Sequence, residues 1–219
     1  AGDDLACLAF VNCVGGQDEL GFDGQSVVFN ETGQCVARGR AFEEDLVVAD
    51  LDLDPVFRAR LHDARRRKEK PRSSAVTPRI ELSSVAGRPQ PPLPPSEAPR
   101  YDRVEEVYHA LVLGTRDYVR KNGFIRVVIG LSGGIDSSLV AAIAVDALGA
   151  ENVVGVTMPS PYSSRGTRAD ARKLAKRIGI EFLTLSISAV YRAYLRALAR
   201  PFKGLKPDVA EENIQARIR

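Results

Sequence analysis

Short apolar runs parted by turn residues fill the first quarter of the chain and predict strands. They are LACLAFVNCV at 5–14, SVVFN at 26–30, QCVAR at 34–38 after a Glu31-Thr32-Gly33 turn, and LVVADL at 46–51. Such a series reads as an antiparallel meander whose apolar first segment needs a second layer to cover it. Beyond residue 100 the period changes. Val104, Val107, Tyr108, Leu111, Thr115 and Tyr118 recur at helical spacing and stop at Gly123, which suits a C-terminal cap. An apolar strand from Ile125 to Leu131 follows, then a glycine turn, a helix with Leu139, Ile143 and Ala147 on one stripe, and a second strand from Val153 to Thr157. Ala171, Leu174, Ala175 and Ile178 mark a further helix stopping at Gly179, before a third strand in IEFLTLS (180–186), a helix from about Ser188 and a last one from Glu211 to Arg219. Strand and helix in alternation predict a parallel sheet covered by helices. The expected fold class is α/β: a C-terminal open parallel sheet with flanking helices, Rossmann-like, preceded by antiparallel β structure. No internal repeat is present.

Residues 58–100 break both periods. A basic run, RRRKEKPR at 65–72, leads into a stretch holding Pro71, Pro78, Pro89, Pro91, Pro92, Pro94, Pro95 and Pro99. Proline removes amide donors and favours extended polyproline II, so PQPPLPPSEAP predicts a semi-rigid spacer. The expected organisation is a first domain over 1–57, a linker over 58–100 and a second domain over 101–219. Charge divides similarly: residues 1–57 hold 12 acidic groups against Arg38 and Arg40, whereas 58–219 hold 29 basic and 16 acidic groups, net +13. The 219 residues are 44% hydrophobic, enough for a sizeable core. No apolar run reaches the roughly 18 residues that cross a bilayer, since Asp146 interrupts the richest one, which argues against a membrane protein. Cys7, Cys13 and Cys35 make neither an even framework nor a C-x-x-C pair, so a reducing cytoplasm is the default compartment. The chain opens on Ala1 without a signal-like core and closes inside a helical pattern, and is expected to be a piece of a longer protein, cut at both ends.

The sharpest chemical feature is GLSGGIDSS, Gly130 to Ser138, where a buried strand turns into a helix. Gly133 and Gly134 allow a tight turn with exposed amides, and the helix beginning near Asp136 adds oriented N–H groups and the positive end of its dipole. Ser132, Ser137 and Ser138 add hydroxyl donors. An acidic Asp136 beside phosphate makes sense once a divalent cation is added, because Mg²⁺ favours a carboxylate together with substrate phosphate oxygens. The loop therefore implies MgATP. No Gly-Lys-Ser/Thr ends it, so it is not a Walker A loop, nor is it G-x-G-x-x-G. A plain strand-to-helix turn with Asp136 as N-cap uses the same letters; the strand, loop and helix order favours the phosphate reading.

The SGGIDSS stretch resembles the pyrophosphate loop of the adenine nucleotide alpha hydrolases, which cleave ATP to AMP and pyrophosphate. Three further stretches, VNCVGGQDELGFDG followed by FEED in the first domain, VTMPSPYSS at 156–164 and EENIQARIR at 211–219, resemble the glutamine-dependent NAD synthetases. In that family a nitrilase-like glutaminase domain precedes a synthetase domain. The resemblance implies that residues 1–57 end a glutaminase domain and residues 101–219 begin a synthetase domain. It implies that Gly130, Leu131, Ser132, Gly133, Gly134, Ile135, Asp136, Ser137 and Ser138 hold the ATP phosphates. It further implies that Asp136 binds Mg²⁺ and that backbone around Met158 receives the adenine. Asn213 matches a contact to deamido-NAD⁺ and Arg217 a basic residue near that substrate's charged groups. The two lie on one helical face, although an ordinary solvated amphipathic helix has the same spacing. The implied partners are deamido-NAD⁺, ATP and glutamine, in a parent that is a homo-oligomer, with the isolated chain inactive.

No glutaminase Cys, Glu and Lys set can be assigned. Cys13 reads as a small hydrophobe in a strand, Asp18, Glu19 and Asp23 as turn chemistry, and His62 and His109 stand alone. An enzyme that adenylates a tRNA base would share the loop and use the basic run, but that run lacks interleaved aromatics and reads as a solvated linker, so no nucleic-acid partner is expected. A non-catalytic ATP-binding module is the other rival, and Asp136 speaks against it.

Overall fold

The computed structural model describes residues 5–63, 80, 91, 93–94, 96–159, 165–204 and 209–219. The basic run at 65–72, most of the proline stretch and the SPYSS letters after Pro159 lie outside the described residues. The chain divides into two compact units, one of Ala1–Gly15 with Phe22–Asp102 and one of Gly16–Gly21 with Arg103–Arg219.

In the first unit, β1 (Leu8–Phe10) pairs antiparallel with β4 (Val27–Phe29), and β4 pairs antiparallel with β5 (Cys35–Arg38) through an irregular register at Val28 and Phe29. The turn joining β4 to β5 is built by Asn30, whose side-chain oxygen accepts from the Thr32 and Gln34 amides at 3.1 and 2.9 Å while Gly33 supplies φ +85°. The first apolar run splits in two. Its second half, β2 (Val14–Gln17), forms a hairpin with β3 (Leu20–Asp23) around Asp18, which tolerates φ +50°. The β3 strand has little alternation and was not expected. LVVADL, expected as a strand, forms no ladder, and the fourth place in the sheet goes to β6 (Ser96–Glu97), parallel to β5. A helix, α1 (Asp54–His62), crosses the expected boundary at 57/58 behind Pro55 at its start. Both ends of the supposed linker are therefore regular structure.

The second unit follows the expected alternation closely. After α2 (Arg103–Lys121) come β7 (Val127–Gly130), α3 (Ile135–Leu148), a short 3₁₀ turn, β8 (Val153–Thr157), α4 (Arg165–Ile178), β9 (Glu181–Thr184), α5 (Ser188–Leu198) and α6 (Val209–Ile218). The strands are parallel in the order β7-β8-β9, with Val127 opposite Val153 and Val154 opposite Glu181. Gly123 ends α2 at φ +76°, with its own N–H on the Arg120 carbonyl and that of Phe124 on the Val119 carbonyl, the two bonds of a Schellman cap. The core packs Leu131 and Val153 against Ala141 and Ala144 of α3 and Ala171 and Ala175 of α4. Alanines on both helices let them approach the sheet closely, leaving little room for a void. On α3 Ile143 and Ala147 are buried as expected, whereas Leu139 is 52% exposed. Among the described residues no helix is long and apolar enough to cross a membrane.

Candidate active site

The Gly130 to Ser138 loop leaves β7 at the carboxyl end of the parallel strands, where open α/β sheets place their ligands. Leu131 carries it across to β8: its N–H donates to the Val156 carbonyl at 2.8 Å and its side chain is 2% exposed. Gly133 then turns at φ +85°, and a Cβ there would run into the Thr167 carbonyl of α4. Glycine is required at this position twice over, by conformation and by space. Gly134, extended at φ −86° and ψ 164°, is the N-cap of α3, so Asp136 sits inside the first turn and is not the cap.

The three serines form one small network. Ser132 and Ser137 hydroxyls lie 3.1 Å apart, the Gly134 amide donates to Ser132 Oγ at 3.2 Å, and the Ser137 and Ser138 hydroxyls donate to the Gly134 carbonyl at 3.1 and 2.8 Å. These bonds shape the turn around exposed amides and the helix terminus, a site suited to anionic oxygen. Asp136 is exposed, and among the described residues none bonds or pairs with its carboxylate. No group of three His, Cys, Asp or Glu that could hold a metal alone occurs among the described residues. One uncommitted carboxylate fits a Mg²⁺ ion that arrives with a nucleotide and takes its other ligands from phosphate and water.

Beside the loop lies a cavity of about 410 Å³, within the usual range for small-molecule sites. Gly130, Leu131 and Ser132 line one side, and Val156, Thr157 and Met158 line another. The remaining loop residues, Gly133, Gly134, Ile135, Asp136, Ser137 and Ser138, form the turn beyond it. Thr167 and Arg168 of α4 and Gln215 and Arg219 at the end of α6 complete the lining. Those four were not singled out by sequence, although Gln215 and Arg219 repeat the i, i+4 spacing noted for Asn213 and Arg217. The structure places Asn213 and Arg217 exposed on α6, off the cavity, while Gln215 is 7% exposed and faces it. Arg219 Nε donates to the Met158 carbonyl at 3.2 Å, which ties the end of α6 to the exit of β8.

Residues 107–219 match the family model of NAD synthase. The chain belongs to the NAD synthase family. It is 48% identical over 220 residues to the glutamine-dependent NAD(+) synthetase of Thermotoga maritima, covering 99% of this chain and 37% of that protein. It is 50% identical over 226 residues to that of Aquifex aeolicus, covering 100% and 38%. The chain thus spans little more than a third of the length of these relatives. The glutamine-dependent NAD⁺ synthetase of Acinetobacter baumannii, solved in complex with ADP, superposes with a TM-score of 0.74 at 37% identity over 97% of this chain and 34% of that one. Membership of the NAD synthase family accords with an α/β unit whose loop and cavity share the carboxyl edge of a parallel sheet.

Proposed function

We propose that the whole protein of which this chain is part carries out glutamine-dependent NAD⁺ synthesis, converting deamido-NAD⁺, ATP and glutamine into NAD⁺, AMP, pyrophosphate and glutamate. The observation that carries the reading is the cavity at the ends of β7 and β8, edged by the SGGIDSS turn with its exposed amides and the free Asp136 carboxylate. A nicotinate carboxylate is a poor electrophile. In the proposed reaction one of its oxygens bonds to the α-phosphorus of ATP as the bond to pyrophosphate breaks, leaving an acyl adenylate. Ammonia then bonds to the acyl carbon, the carbon–oxygen bond to AMP breaks, and one proton passes to solvent. The Gly133 amide and those of Ile135 and Asp136 at the start of α3 would hold the phosphate oxygens on which charge gathers. Mg²⁺ bound by Asp136 would neutralise further phosphate charge. Arg168 and Arg219 add positive charge to the lining, and the strand end at Thr157 and Met158 would receive the base. Asn213 and Arg217 are proposed for deamido-NAD⁺, and their exposure leaves them open to a second copy in a homo-oligomeric parent. Ammonia is mostly protonated at neutral pH, so hydrolysis of glutamine within the protein supplies a nucleophile that solution does not. The three cysteines are unpaired, in keeping with a reducing cytoplasm.

The direct test is exchange of labelled pyrophosphate into ATP by the whole protein with neither ammonia nor glutamine present. Exchange that depends on deamido-NAD⁺ is expected. Its absence when both substrates are bound would overturn the adenylation step.

A further inference from the structure

The Gly16–Gly21 segment, the centre of the VGGQDELGFDG motif, clusters with the second unit although about a hundred residues separate it from its partners there. Gly16 donates its N–H to Asp117 Oδ2 at 2.8 Å, and Lys121 Nζ donates to the Gly16 carbonyl. A Cβ on Gly16 would stand 2.9 Å from Gly114 Cα. Gly114, Asp117 and Lys121 succeed one another at i, i+3 and i+7, which puts all three on one face of α2. One residue's amide and carbonyl are thus gripped by two opposite charges, above a glycine that lets the backbones meet. Burial by itself would raise the Asp117 carboxyl; the Gly16 amide, the Arg116 guanidinium and Lys121 outweigh it and hold it below its ordinary value.

We propose that this face of α2 is a seat for the Gly-Gly-Gln-Asp-Glu loop, and that Asp117 and Lys121 are positioning residues for the glutamine-dependent half of the reaction. They act through Gly16 and touch no substrate. The proposal rests on the functional reading above: ammonia made from glutamine is used only if the elements that make and consume it keep a fixed register, whereas ammonia added to solution needs none. Charge-assisted bonds to a backbone peptide fix such a register with little freedom.

The test compares NAD⁺ formation from glutamine and from added ammonium in the whole protein, for Asp117→Ala, Gly16→Ala and Asp117→Asn. The first two are expected to lower the glutamine-dependent rate about tenfold, Asp117→Ala by loss of one charge-assisted bond and Gly16→Ala by the clash of its Cβ with Gly114, with the ammonium-dependent rate within about twofold. Asp117→Asn keeps an acceptor for Gly16 and should restore most of the glutamine-dependent rate. Parallel loss of both rates, or loss of neither, overturns the proposal. Amide hydrogen exchange gives a second readout that needs no activity: residues 16–21 should exchange about tenfold faster in Asp117→Ala while 135–148 stay as protected as before. Unchanged protection at 16–21 overturns the seat. If the unaltered protein makes no NAD⁺ from either nitrogen source, the functional reading fails and the exchange result still decides the seat.

Discussion

The Cβ that Gly155 lacks would stand 2.6 Å from Cδ1 of Leu131 and 3.1 Å from Cδ1 of Ile180. Gly155 lies in the middle of β8, where glycine usually weakens a strand; here it makes room for the leucine that anchors the phosphate loop. Gly155→Ala should destabilise the unit by about 1–3 kcal/mol, as overpacking does. A urea midpoint unchanged from that of the unaltered chain would show that Leu131 moves aside freely.

The two loop glycines should respond differently. Gly133→Ala forces a side chain into φ +85° and onto the Thr167 carbonyl, whereas a Cβ on Gly134 meets only Ser132 Oγ at 3.3 Å. Calorimetric titration with ATP should show a loss of about tenfold or more in affinity for Gly133→Ala. A smaller loss is expected for Gly134→Ala, and the reverse order would contradict the structure.

Asp136 is expected to matter only when a divalent cation is present. Asp136→Ala should weaken MgATP binding about tenfold or more while leaving metal-free ATP binding unchanged or slightly improved, since a repelling carboxylate has gone. Equal losses with and without Mg²⁺ would count against a metal role.

The cavity separates Arg217 of α6 from Arg219 just beyond its end. Arg219→Ala should raise KM for ATP by about tenfold, the scale of one charged hydrogen bond, and leave that for deamido-NAD⁺ nearly unchanged. Arg217→Ala should do the opposite. Steady-state kinetics with each substrate varied in turn distinguishes them.

Tyr108 donates to Asp146 at 2.6 Å, joining α2 to α3, and its pKa is raised to about 12 by that hydrogen bond first, then by burial and the neighbouring negative charge. The unfolded phenol ionises near pH 10, so the contribution is fully present below pH 10 and is lost as pH rises toward 12. In denaturation at stepped pH, Tyr108→Phe should be less sensitive than the unaltered protein between those values.

The amino-acid sequence alone determined the elements of the second unit. β8 runs over the residues whose apolar pattern announced it, Gly123 and Gly179 end the helices at positive φ, and SGGIDSS lies between strand and helix as its letters require. Period and cap chemistry are local, so they survive without knowledge of the partner. What each face meets is not local. Tertiary structure decided that LVVADL finds no ladder while Ser96–Glu97 joins β5, that Leu139 stays half exposed, and that Gln215 and Arg219, rather than Asn213 and Arg217, line the cavity. Helical spacing says which side chains share a face, but only packing against α5 and the Arg219 bond to Met158 say which face looks into the site. The seat for Gly16 was equally hidden, because two charges and a glycine on a helix gain meaning only when a distant peptide comes to lie against them.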